Sequence, residues 1–102
     1  MSRFVKVALL ADLPPGSTKL VEAEGKEFAL FNVSGTLYAL DNICTHAGGP
    51  LAEGTVEGQE VECPWHGARF NLKTGASSTA IAPEGVQAYP VRASGADIEI
   101  EI

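Results

Sequence analysis

Short runs of alternating apolar and polar residues recur along this chain, each closed by glycine, proline, asparagine or serine. Phe4 to Ala8 reads as a first strand, and Pro14-Pro15-Gly16 as a turn. Thr18 to Ala23 predicts a second strand, stopped by Gly25. Glu27 to Val33 and Thr36 to Asp41 alternate, and Ser34-Gly35 between them suits a tight hairpin turn. Val61-Glu62-Cys63 and Arg69 to Leu72 predict another hairpin, with Pro64-Trp65-His66-Gly67 at its bend. Gln87 to Ala93 reads as one further strand. The last six residues carry the cleanest signal: Asp97, Glu99 and Glu101 alternate with Ile98, Ile100 and Ile102, giving an acidic face and an apolar one. No long stretch shows helical periodicity, and only residues 49–55 have room for a single helical turn. Many short strands at regular spacing predict an all-β fold, an antiparallel sandwich or barrel.

The 102 residues make one domain, 1–102, with no internal boundary or repeat. A chain this short buries a modest core, so a bound metal adds useful stability. No apolar run is long enough to span a membrane. The N-terminal stretch, broken by Lys6 and followed by Asp12, does not read as a signal peptide, so the expected compartment is cytoplasmic. Thirteen acidic residues against seven basic ones argue against nucleic acid and against an anionic membrane surface as partners. Such an excess serves solubility or docking onto a basic patch of another protein.

The chemistry lies in four residues. Cys44-Thr45-His46 is a C-x-H pair, and after sixteen intervening residues Cys63-Pro64-Trp65-His66 is a C-x-x-H pair. These hold both cysteines and both histidines of the chain. A Cys44–Cys63 disulfide is open on counting alone, but in a cytosolic chain metal or redox chemistry is the better expectation. A structural zinc site also accepts two thiolates and two imidazoles. Its common finger spacing, however, puts two cysteines together and two histidines together, with a helix following. Here each loop supplies one of each, which makes better sense for two metal atoms, one taking both thiolates and the other both imidazoles.

The segments C-T-H-A-G-G-P-L and C-P-W-H-G-A-R-F resemble the two ligand loops of Rieske iron–sulfur proteins. The size resembles the stand-alone Rieske ferredoxins of bacterial ring-hydroxylating dioxygenase systems. The resemblance implies a Rieske-like β-sandwich with a small cluster-binding subdomain, about residues 43–71, formed by the two loops. It implies one 2Fe–2S cluster, with Cys44 and Cys63 on the inner iron and His46 and His66 on the outer iron. A core of two ferric ions, two sulfides and two thiolates is neutral when the imidazoles are neutral, whereas four thiolates leave two negative charges. Adding an electron to the neutral centre is easier, and Rieske centres span about −150 to +300 mV against about −400 mV for plant-type ones.

High-potential Rieske proteins of respiratory complexes carry C-P-C-H-G-S-x-Y in the second loop and a further cysteine in the first. The matching positions here are Trp65, Ala68, Phe70 and Gly49, so the disulfide between loops is ruled out and the two hydroxyls are missing. The expected potential therefore sits near the low end, close to about −150 mV. A quinol-oxidising role, which calls for a membrane anchor and a high potential, is disfavoured. Gly48, Gly49 and Gly67 suit either backbone N–H approach to sulfur or plain turns. Pro50 and Pro64 stiffen the loops, and Leu51 is expected to pack beneath the first. Trp65 fits a shield, a partner contact or a passive lid. Ala82-Pro83 is the candidate for the proline-bearing third loop of the family or for a simple connection. Arg69 reads as a solvated strand residue or a partner contact.

The function implied is a soluble one-electron carrier, not itself an enzyme. It would pass electrons from a flavin-dependent ferredoxin reductase to a terminal oxygenase that hydroxylates aromatic rings. Three other readings stand beside it: the small Rieske subunit of a larger redox enzyme such as nitrite reductase, a self-contained Rieske oxygenase, and a structural zinc module. The oxygenase needs a further mononuclear iron, typically on two histidines and a carboxylate, and both histidines are already engaged.

Overall fold

The computed structural model of the chain describes residues 3–42, 50–64, 68–77 and 85–102. Among the described residues ten strands run β1 (Phe4–Leu9), β2 (Thr18–Ala23), β3 (Lys26–Val33), β4 (Thr36–Asp41), β5 (Thr55–Glu57), β6 (Glu60–Glu62), β7 (Arg69–Asn71), β8 (Ala88–Tyr89), β9 (Val91–Ser94) and β10 (Asp97–Glu101). They form three antiparallel sheets, ordered β1-β10-β9, β2-β3-β4-β8 and β5-β6-β7. Two 3₁₀ turns, Leu10–Asp12 and Leu51–Glu53, are the helical elements among the described residues. The second falls inside the single turn expected over 49–55.

The four-stranded sheet is covered on both faces. One face shares a core of Ala8, Leu13, Val21, Phe28, Leu30, Ala39, Ile98 and Ile100 with the β1-β10-β9 sheet. The other packs Ala29, Phe31 and Leu40 against Leu51, Val61, Cys63, Ala68, Phe70, Leu72 and Val86 from the small sheet and its flanks. Each large side chain fully buried here contributes roughly 1.5–3 kcal/mol. This double cover corrects the alternation read for Glu27 to Val33. Phe28, Ala29, Leu30, Phe31 and Asn32 are all buried, because successive side chains enter different cores.

The single strand expected over Gln87 to Ala93 is two. Pro90 lacks an N–H and separates β8, which pairs with β4, from β9, which pairs with β10. The chain thus crosses from the central sheet to the outer one. The strand β5 was not legible in the alternation. At Ser34-Gly35 the expected hairpin turn forms, with φ of 54° and 94° at the two residues, the left-handed conformation of a type I′ turn. In β10 the apolar face is buried as expected, but its acidic face is partly neutralised: Asp97 pairs with Lys6 at 3.3 Å and Glu99 with Arg92 at 2.7 Å.

Candidate metal centre

Three segments that the sequence singled out are anchored at residues of the second core, and the backbone holds the base of each. The first leaves β4 at Asn42 and returns at Pro50. The Asn42 carbonyl accepts the Leu51 N–H at 2.7 Å, and its side-chain Oδ1 accepts the Ala52 N–H at 2.9 Å. The second leaves β6 and enters β7. Glu62 lies opposite Arg69 in register, and Cys63 donates its N–H to the Ala68 carbonyl at 2.7 Å, which brings the hairpin ends together. The third, between Ser77 and Gly85, is closed where Val86 donates to the Gly75 carbonyl at 2.8 Å. Leu51, Cys63, Ala68 and Val86, one or two from each base, belong to the same buried core.

Of the four expected ligands, Cys63 is placed: it is 1% exposed, just beyond the end of β6, among apolar neighbours. Cys44, His46 and His66 lie outside the described residues, as do Gly48, Gly49, Trp65, Gly67 and Ala82-Pro83. Leu51 is fully buried in the second core, while the first loop beneath which it was expected to pack lies outside the described residues. Among the described residues, no group of three or more His, Cys, Asp or Glu side chains is placed to hold a metal ion. The residues present fit a cluster with mixed ligation. A buried thiol in apolar surroundings suits a core whose oxidised charges cancel, and each loop brings one cysteine and one histidine.

The surroundings are tied by charge. Arg69 on β7 reaches Glu62 at 3.1 Å on β6 and Glu57 at 3.1 Å on β5, with Glu60 at 3.7 Å. These carboxylates, Glu62 first, raise the Arg69 pKa, so the guanidinium stays charged and laces all three strands. The Arg69 side chain stays 35% exposed while it makes these pairs. At the end of β4, Asp41 accepts the Tyr89 hydroxyl at 2.7 Å and pairs with Lys26 at 3.1 Å, while Lys26 donates to the same hydroxyl at 2.6 Å. Burial, then Asp41, pushes the Tyr89 pKa up, and the Tyr89 and Asp41 bonds raise that of Lys26. Sequence reasoning missed Asn42, Gly75 and Gly85. An asparagine closing a strand two residues before a ligand pair is the signal for the first; nothing local marks the glycines as a close backbone approach.

An all-β fold in which the bases of three segments, two of them bearing the C-x-H and C-x-x-H pairs in sequence, join one apolar core suits a small iron–sulfur protein. The chain belongs to the Rieske [2Fe-2S] domain family, whose model matches residues 3–90, and its cofactor is a Rieske-type 2Fe–2S cluster. It is 37% identical over 100 residues to the ferredoxin component of the naphthalene 1,2-dioxygenase system of Pseudomonas aeruginosa, covering 98% of this chain and 96% of that one. A chain in the solved complex of reduced oxygenase and oxidised ferredoxin of carbazole 1,9a-dioxygenase superposes with a TM-score of 0.87 at 30% identity, over 95% of this chain and 91% of that one. The NADH-dependent nitrite reductase small subunit structure from Mycobacterium tuberculosis superposes at 0.90 over 100% and 96% of the two chains, but at 22% identity that likeness is one of fold alone.

Proposed function

We propose that this chain is a cytoplasmic one-electron carrier, passing electrons from a flavin-dependent reductase to a terminal oxygenase that hydroxylates aromatic rings. Cys44 and Cys63 hold the inner iron of the cluster, and His46 and His66 the outer one. The whole chain, 1–102, serves as one domain, with residues 43–71 as the cluster-binding part. The observation that supports this best is the match to a dioxygenase ferredoxin component over nearly the full length of both chains. With both histidines spent on the cluster, none is left for a mononuclear catalytic iron.

The cluster, when bound, supplies reversible one-electron chemistry. The protein supplies its setting. Cys63 lies in the interior at 1% exposure, so it would hold its side of a bound cluster away from solvent. Thiolate ligation fits the reducing cytoplasm. Docking is transient over a small interface, and the net charge of −6 makes association sensitive to salt. The nitrite reductase reading has only the shared fold behind it.

The test is anaerobic purification with iron and acid-labile sulfide assays, followed by EPR of the reduced protein. Two irons and two sulfides per chain and an average g below 2 are expected. Addition of a dioxygenase reductase and oxygenase from a relative's system should then support turnover that depends on this chain. A colourless protein with one zinc per chain would instead establish the structural zinc module.

A further inference from the structure

Asn42 and Asn32 are the two buried polar residues among the described ones, at 1% and 6% exposure. A buried side-chain amide costs stability unless both of its ends are bonded. Asn42 meets that condition by holding two separate pieces of chain. Its N–H donates to the Glu27 carbonyl at 3.2 Å, and its Nδ2 donates to Glu27 Oε1 at 3.2 Å, which anchors it to β3. Its carbonyl and its Oδ1 receive the N–H groups of Leu51 and Ala52. One residue therefore fixes both the point where the chain leaves β4 and the point where it returns into the 3₁₀ turn Leu51–Glu53. Thr18 Oγ1 adds a bond to the Ala52 carbonyl at 2.7 Å, so the returning end is held from β2 as well.

We propose that Asn42 is a positioning residue for the cluster, setting the separation and direction of the two ends of the segment that carries Cys44 and His46. This rests on the reading of those two residues as ligands. Cys44 is two residues from Asn42, too few for the chain to absorb a shift at its base. A ligand held a fraction of an ångström out of place weakens a metal site and changes its spectrum. An aspartate keeps an acceptor for the Ala52 N–H, but loses the donor to Glu27 and sets two carboxylates together. An alanine loses both bonds.

Asn32 provides the matched control. Its Nδ2 donates to the Leu13 carbonyl at 2.8 Å and its Oδ1 accepts the Gly35 N–H at 2.9 Å, a similar pair of bonds between segments that carry no ligand. The experiment compares the cluster-loaded wild type, Asn42→Ala, Asn42→Asp and Asn32→Ala, well below their melting temperatures. It reads the EPR of the reduced state and the rate of cluster loss to a chelator. Asn42→Ala is expected to lose its cluster at least tenfold faster than Asn32→Ala and to show shifted g values, with Asn42→Asp between it and wild type. Asn32→Ala should melt earlier yet keep the wild-type spectrum. If Asn42→Ala does not fold, Asn42→Asp decides on the same two readouts. A wild-type spectrum and loss rate in the Asn42 variants would overturn the positioning role alone. A wild-type protein without iron and sulfide would overturn the ligand reading and this proposal together.

Discussion

Val86 donates its backbone N–H to the Gly75 carbonyl at 2.8 Å, and no side chain fits between the two segments so joined. A Cβ on Gly75 would lie far inside contact distance of the Val86 carbonyl oxygen, and one on Gly85 would meet the Gly75 carbonyl in the same way. Gly75 also has φ of +78°. Two costs therefore add in Gly75→Ala: about 1–2 kcal/mol for the left-handed backbone and about 1–3 kcal/mol for the overlap. Gly25, with φ of +77° and open space around its Cβ position, isolates the first cost. Urea unfolding should show Gly75→Ala losing clearly more than Gly25→Ala. Equal losses would mean that the two segments part easily and do not clamp the third loop.

The Lys26, Tyr89 and Asp41 cluster sets a stability window in alkali. The pKa values of Tyr89 and Lys26 are both raised from ordinary values of 10.0 and 10.5. The folded state thus binds each proton more tightly than the unfolded chain does. The contribution is complete below those ordinary values and is lost as pH climbs through the raised ones. Stability attributable to this cluster should be flat from neutral pH to about pH 9 and then fall. Tyr89→Phe removes the shared hydroxyl and keeps the edge-to-face ring contact with Phe28. It should lose about 0.5–1.5 kcal/mol at pH 7 and show a shallower alkaline decline. Urea midpoints at pH 7, 9 and 11 separate the two curves; parallel curves would remove Tyr89 from the titration.

How far the sequence carried the fold depended on what lies on each face of a strand. The terminal isoleucines were legible because a strand with one covered face writes its burial as alternation. The strand β3 was found, but its pattern was misjudged, because cover on both faces turns alternation into a continuous buried run. The break at Pro90 was visible as a residue and not as an event, since the change of pairing partner is a long-range fact. For the site, ligand chemistry is written in residue type, so Cys63 stands out from the sequence alone, and the structure places it in the second core. Asn42 and Gly75 act through backbone groups distant in sequence, which local pattern does not encode.

Removing Arg69 should expose what it now neutralises. Glu57, Glu60 and Glu62 converge on this one guanidinium from adjacent strands. Arg69→Met keeps the aliphatic stem but leaves three carboxylates facing one another across the small sheet. The variant should be less stable than the wild type at low ionic strength and should recover as salt screens the repulsion, with a Debye length near 10 Å at about 0.1 M. Thermal melts across a salt series supply the check. A deficit that does not change with salt would assign the loss to packing of the stem.

The reduction potential follows from what is missing beside Cys63. Ala68 and Phe70 are both fully buried in the core that holds the Cys63 side chain, and neither has a hydroxyl. Reduction adds a negative charge to the site, and a hydroxyl donor there stabilises the more negative state. Without such donors the potential should lie close to about −150 mV, the low end of the Rieske range. Ala68→Ser places one hydroxyl next to the Cys63 to Ala68 backbone bond, at the cost of one added oxygen in a packed position. A bond worth about 1 kcal/mol more in the reduced state raises the potential by about 40 mV for a one-electron couple. Redox titration followed by visible absorption gives both numbers. A wild-type potential above about +100 mV would show that donors other than these two positions set it. An unchanged potential in Ala68→Ser, with the cluster retained, would show that the added hydroxyl bonds the backbone and leaves sulfur alone.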